Sequence, residues 1–288
     1  MNVNLPRRHH AIATIATAMT LAMTTGAWAQ GSDASAWSDE GHAAARLVSG
    51  GATATAPDAP LQAGIEITLK PGWKTYWRYP GDAGTPPRIS FARSENVKDV
   101  AILWPAPMRF DDGSGGTSIG YKHRVVLPLH VTREDAAKPA TLRADIDYAI
   151  CEKLCVPVEA KLELPLKNVP TDQSGALRES EALVPRRASL GAPGPLTITS
   201  VRRISEPKPH VVVDIAAPAN AKVDLLAEGP TAEWALPLPQ PIAGAPAGAQ
   251  RFAFDLDGLP AGASAAGATL TLTAIAKDQA IEVATPLD

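Results

Sequence analysis

The hydrophobic positions of this chain fall mostly into short runs with a two-residue period. The cleanest is Leu142-Arg143-Ala144-Asp145-Ile146-Asp147-Tyr148, and Lys161-Leu162-Glu163-Leu164-Pro165-Leu166 repeats it. Successive strand side chains point to opposite faces, so this alternation predicts strands with one face on a core and one in water. Similar runs cover residues 65–69, 100–104, 125–131, 142–150 and 156–166, then 196–201, 211–215, 223–227, 252–256, 270–275 and 281–284. Turn chemistry such as Lys70-Pro71-Gly72 and Tyr79-Pro80-Gly81-Asp82 separates them. Strands do not alternate with long amphipathic helices, which argues against a doubly wound or thioredoxin-type fold. The expected architecture is all-β, with two sandwiches.

One segment breaks the pattern. Over residues 174–183, Leu177, Ala182 and Leu183 stand among Arg178, Glu179 and Glu181, the spacing of a short helix. The stretch 185–195, rich in Pro, Gly and Ala, reads as a linker. The expected organisation is a first sandwich over 30–170, helix and linker over 171–193, and a second sandwich over 194–288. Residues 30–59, rich in Ala, Gly, Ser and Thr, are expected to be partly disordered at their start.

Residues 1–29 read as a secretory signal. Arg7 and Arg8 supply the positive region, 11–22 an apolar core, and Ala27-Trp28-Ala29 a cleavage site. That core is too short to span a bilayer, and nothing downstream approaches the roughly 18 apolar residues a span requires. The mature chain is therefore expected in an oxidising compartment and not membrane-spanning. A net charge of −3 leaves no basic footprint for nucleic acid. The 27 prolines and 22 glycines fit a chain of many turns.

Two cysteines, Cys151 and Cys155, are the only ones in the sequence. Four positions apart, they make a poor staple. Closing a loop of about five residues contributes only about 2 kcal/mol, against about 4.7 for 100 residues. Close spacing suits a dithiol that opens and closes, because the second thiol is at hand to resolve a mixed disulfide. The segment leads from one alternating run into another, and a tight hairpin brings the pair within disulfide reach. An ordinary hairpin cystine is the plain alternative. Copper(I) is the chemical one, since soft thiolates select it, with Met108, His123 and His130 as candidates to complete a site. Zinc fits less well, because two thiolates leave half its tetrahedron empty. No resident cofactor or metal is expected.

Other patterns carry less. Trp73, Tyr76, Trp77 and Tyr79 form an aromatic cluster, either a sugar platform or, as read here, core filling around a turn. Gly116-Thr117-Ser118-Ile119-Gly120 fits G-x-S-x-G without the strand-to-helix elbow that chemistry needs, and reads as a glycine-rich loop.

Four stretches in order carry a family resemblance. They are Gly72 through Gly84, Trp104-Pro105-Ala106-Pro107, Gly120-Tyr121 leading to Val126-Leu127-Pro128-Leu129, and Tyr148 through Pro157. Together they resemble the N-terminal periplasmic domain of DsbD-type thiol:disulfide interchange proteins, especially the ScsB-like copper-tolerance branch. The resemblance implies an immunoglobulin-like fold, a periplasmic location and a redox-active cysteine pair. It implies Cys155 as attacking thiol and Cys151 as resolving thiol, under a cap loop over 108–112 that includes Arg109, Phe110 and Asp111, with Phe110 as lid. Implied partners are a membrane-embedded thiol reductase or thioredoxin-like protein as electron source, and oxidised periplasmic proteins as acceptors. The sequence departs from the family in two ways: it carries no multi-span membrane domain or thioredoxin domain, and its cysteines are more closely spaced.

Overall fold

The computed structural model of the protein describes residues 1–2, 32–54, 56, 58–82, 84–111 and 115–288. Beyond its first two residues, the expected signal segment lies outside them. Among the described residues, no helix is long and apolar enough to cross a membrane.

The strands, in chain order, are β1 (Ser38–Asp39), β2 (Ala43–Ala52), β3 (Leu61–Leu69), β4 (Lys74–Gly81), β5 (Arg88–Ser90), β6 (Val97–Ile102), β7 (Met108–Asp111), β8 (Thr117–Lys122), β9 (Arg124–Arg133), β10 (Thr141–Cys151) and β11 (Cys155–Pro165). Helix α1 (Ser174–Glu181) follows. Then come β12 (Arg186–Arg187), β13 (Thr197–Ile204), β14 (His210–Ala216), β15 (Val223–Glu228), β16 (Gln240–Ile242), β17 (Ala249–Asp255), β18 (Thr269–Ala276) and β19 (Gln279–Pro286).

Among the described residues, the fold is that of immunoglobulin-like β-sandwiches with one short helix. In the first, a sheet of order β1-β2-β3-β9-β6 packs on one of order β11-β10-β4-β8-β7, with β5 alongside β10. The alternating runs point their apolar members inward. Leu142, Ala144, Ile146, Tyr148 and Ile150 of β10 meet Leu61, Ile65, Leu127 and Leu129 in one core. Sheets of order β12-β19-β18-β15 and β13-β14-β17-β16 build the second sandwich around Val213, Leu225, Phe252, Leu272 and Val283.

Several segments differ from the sequence reading. Residues 43–52, to which the sequence reading assigned no strand, form β2, because pairing with β3 and an apolar inner face override weak strand propensity. Residues 117–120, read as part of a glycine-rich loop, lie in β8, with Ser118 fully buried. Glycine is required there: a Cβ on Gly120 would stand 1.9 Å from the Thr75 carbonyl oxygen of β4. The linker contains β12, which pairs in parallel with β19. Helix α1 does more than connect. Leu177, fully buried, docks on the outer face of the first sheet against Val48 and Val126. The backbone of Gly50 and Gly64 makes room for its methyls, which would lie 2.7 and 2.6 Å from an added Cβ.

Candidate functional site

Strands β10 and β11 pair in strict antiparallel register from Thr141↔Pro165 to Cys151↔Cys155. Opposed strand residues share a face. Since Tyr148 and Ile150 point into the core, Cys151 and Cys155 project on the opposite, outer face of the sheet. The turn Glu152-Lys153-Leu154 closes the hairpin and leaves Leu154 80 % exposed. The two sulfurs stand side by side, with Cys155 Sγ 2.7 Å from Cys151 Sγ. Their environments differ. Cys151 is 5 % exposed and packs with Tyr76 and Ala149, whereas Cys155 is exposed. Burial and the neighbouring Cys155 sulfur push the Cys151 thiol up, against the opposing influence of the Tyr76 hydroxyl and the Lys74 charge.

Strand β4 supplies the rest. It joins β10 through Ile150↔Thr75 and Cys151↔Lys74, and β8 through Lys74↔Lys122 and Tyr76↔Gly120. The Thr75 hydroxyl donates to the Ala149 carbonyl at 2.9 Å and pins this junction. Alternation along β4 sends Trp77 into the core and Lys74 and Tyr76 to the thiol face. The Tyr76 hydroxyl lies 3.1 Å from Cys155 Sγ. Burial first, then the two sulfurs, hold that phenol protonated well above its ordinary range. Gly84 lies over the Tyr76 ring, where a Cβ would come within 2.5 Å of it.

Arg109, Phe110 and Asp111, expected in a cap loop, are extended in β7 and paired with Ile119, Ser118 and Thr117 of β8. The rest of that expected stretch, Asp112, lies outside the described residues. Phe110 and Arg109 point opposite ways. The Phe110 ring is buried on the thiol face between two ammonium groups, Lys74 Nζ at 4.8 Å and Lys122 Nζ at 5.2 Å from its centroid. Lys74 Nζ also donates to the Asp111 carbonyl at 3.2 Å. With Phe110 in this position Cys155 still reaches solvent, beside a groove of about 360 Å³ flanked by Thr85, Pro86, Arg88, Pro157 and Glu159. Arg109 reaches the second sandwich instead, donating to Asp224 Oδ1 and the Leu225 carbonyl, each at 2.6 Å, and to the Pro239 carbonyl at 3.2 Å.

The copper candidates are scattered over separate elements. Met108 is half exposed on β7, and His123 holds the β8–β9 turn at a φ of 64°. His130 lies on β9 of the other sheet, with Nε2 2.9 Å from Glu181 Oε1 of α1. Among the described residues, no three His, Cys, Asp or Glu side chains converge as a metal site. Trp77 is wholly buried and Trp73 stacks on His42 with ring centroids 4.2 Å apart, so the aromatic cluster offers no open platform. Tyr76 and Lys74 are the site residues that sequence reasoning passed over. The alternation Lys74-Thr75-Tyr76-Trp77, read as a strand instead of an aromatic turn, places both on one face.

Residues 44–167 match the family thiol:disulfide interchange protein DsbD, N-terminal. Among solved structures, the chain is similar to the N-terminal periplasmic domain of ScsB from Proteus mirabilis. Identity is 22 % and the TM-score 0.69, over 88 % of this chain and 98 % of that one. This likeness in fold therefore runs past residue 167 into the second sandwich. No curated protein has a matching sequence.

Proposed function

We propose, from the premise that residues 44–167 are a DsbD-type N-terminal domain, that the first sandwich exchanges disulfides in the periplasm through Cys151 and Cys155. The observation that carries this reading is the asymmetry of the pair: one hairpin end holds an exposed thiol and, in register beside it, a buried one. An exposed sulfur can meet an intermolecular disulfide. A buried sulfur at contact distance is protected until that first bond has formed.

The cycle follows. The Cys155 thiolate attacks a disulfide of an oxidised exported protein, forming one S–S bond and releasing one partner sulfur as a thiol. Cys151 loses its proton to solvent and attacks Cys155 Sγ. The Cys151–Cys155 bond forms, the mixed disulfide breaks, and the second partner sulfur leaves as a thiolate that takes up a proton. Two electrons have passed to the partner. A membrane-embedded thiol reductase or thioredoxin-like protein returns them. Phe110 and its neighbours on β7 act as a cap over the Cys151 side of the pair.

The midpoint potential of the couple, read from alkylation mass shifts across redox buffers, tests this. A value between about −180 and −270 mV, the range of known exchange proteins, is expected. One well below about −300 mV marks a structural cystine and ends the proposal. Mixed disulfides are expected to accumulate in Cys151→Ser and to be lost in Cys155→Ser, and equal trapping by both variants contradicts the assignment of roles.

A further inference from the structure

Cys151 is required to become a nucleophile where water is excluded, and burial opposes the thiolate. Something nearby has to favour the charge. One row across the outer face of the sheet runs Cys155, Cys151, Lys74, Lys122, each paired with the next. Directly opposed residues have Cβ atoms about 4.5–5.5 Å apart, and charges on neighbouring side chains interact more strongly at a desolvated site than in water.

Lys74 is itself only 5 % exposed. Its ammonium has no carboxylate partner among the described residues. It is held by the face of Phe110 and the main-chain carbonyl of Asp111, both on β7. A buried ammonium with neutral partners keeps an uncancelled charge, and the residue that carries it is paired directly with the buried Cys151 on the same face of the sheet. Lys122, the next in the row, is exposed and lies on the Phe110 ring.

We propose that Lys74 is a positioning residue for the exchange reaction, a fixed positive charge that favours the Cys151 thiolate and so speeds resolution of the mixed disulfide. Phe110 and the Asp111 carbonyl fix the ammonium on the thiol face of the sheet. The Cys151 proton goes to solvent. This inference rests on the disulfide-exchange reading for its consequence, but the charge effect on Cys151 is measurable without any redox partner.

The charged and titratable groups around Cys151 and Lys74 are Cys155 on β11, Tyr76 on β4, Glu152 and Lys153 in the turn, Lys122 on β8 and Asp111 on β7. Replacing Cys155 with Ser removes the sulfur coupling and leaves one thiol to follow. The rate of Cys151 alkylation by iodoacetamide is then recorded against pH in the full mature chain, with Lys74 intact or changed to Met, Gln or Arg. Met matches the volume of the stem, and Gln keeps a donor for the Asp111 carbonyl, so one of the two tests the charge where the other disturbs packing.

An opposite charge at this range lowers a pKa by about one to three units. Each unit changes the thiolate fraction about tenfold, and the compensating change in nucleophilicity returns about threefold. The expected result is a reaction about threefold to thirtyfold slower at pH 7 in Lys74→Met and Lys74→Gln, a profile displaced to higher pH, and recovery in Lys74→Arg. In chains with both cysteines, the mixed disulfide of Lys74→Met outlives the parent's at pH 7, and the difference shrinks as pH rises. Coincident profiles for all four Lys74 forms overturn the inference while leaving trapping by Cys151→Ser intact. Loss of trapping with a displaced profile overturns the exchange reading and leaves the charge effect standing.

Discussion

Tyr76 is where the chemistry of the pair is most open to a single atom's removal. Its hydroxyl is held protonated by burial and sits 3.1 Å from the exposed sulfur, so it can donate to a Cys155 thiolate but cannot act as its base. A hydrogen bond to a charged group is worth about 1.5–3 kcal/mol, which sets the scale for Tyr76→Phe. Attack of Cys155 on a small aromatic disulfide at pH 7 is expected to slow about tenfold, followed by release of the coloured thiol. An unchanged rate removes Tyr76 from the site. At this scale the sequence was half legible. The cysteines announced themselves because they are the only two in the sequence and stand four positions apart. Tyr76 did not, because it lies 79 positions from Cys155 and only the pairing of β4 with β10 joins them.

Among the elements, the hairpin β10–β11 was readable because period-2 alternation with one polar face admits few other structures. Strands that escaped include β2, β7 and β8, which are short, rich in Ala or Gly, or neighboured by glycine-rich turns. Their order comes from tertiary pairing that no local window contains. Helix α1 was legible as a helix but not as a packing element, since its seat is made by what Gly50 and Gly64 lack. Truncating Leu177 empties that seat. Leu177→Ala is expected to cost about 2–5 kcal/mol in urea unfolding, the range for buried leucines. Because α1 covers the sheet opposite the thiols, the Cys151 alkylation profile of the folded variant is expected to match the parent's. A displaced profile would show that the two outer faces communicate.

At the scale of the whole molecule, the second sandwich holds the strands that frame the dithiol. Arg78 of β4 donates to both oxygens of Glu228, at 2.9 and 2.7 Å, and to Glu282 at 2.5 Å. Burial works against this guanidinium, but the two carboxylates hold its pKa above the ordinary value. The Tyr79 hydroxyl donates to the Leu236 carbonyl, and Arg109 of β7 fastens the strand carrying Phe110 to Asp224. None of this was legible in the sequence. Arg109 and Asp224 are 115 positions apart, and an arginine beside an expected lid gave no hint that it faces the other way.

Asp224 makes the attachment testable by pH. Burial raises its carboxyl above the ordinary value of 3.8, against the opposing pull of Arg109. Between 3.8 and that raised value the folded chain binds the proton more readily than the unfolded chain, so this group's contribution to stability falls as pH rises through the window. Arg109→Ala removes the opposing charge, raises the carboxyl further and widens the window. The pair is partly exposed, at 23 % and 31 %, so the loss at pH 7 is expected to be about 1–3 kcal/mol, below that for a fully buried pair. The deficit relative to the parent narrows as pH falls towards 4, and Asp224→Asn in the same chain restores part of it at pH 7. Urea unfolding at the two pH values reads both effects. A deficit independent of pH would mean that Arg109 holds β7 through the Leu225 and Pro239 carbonyls alone.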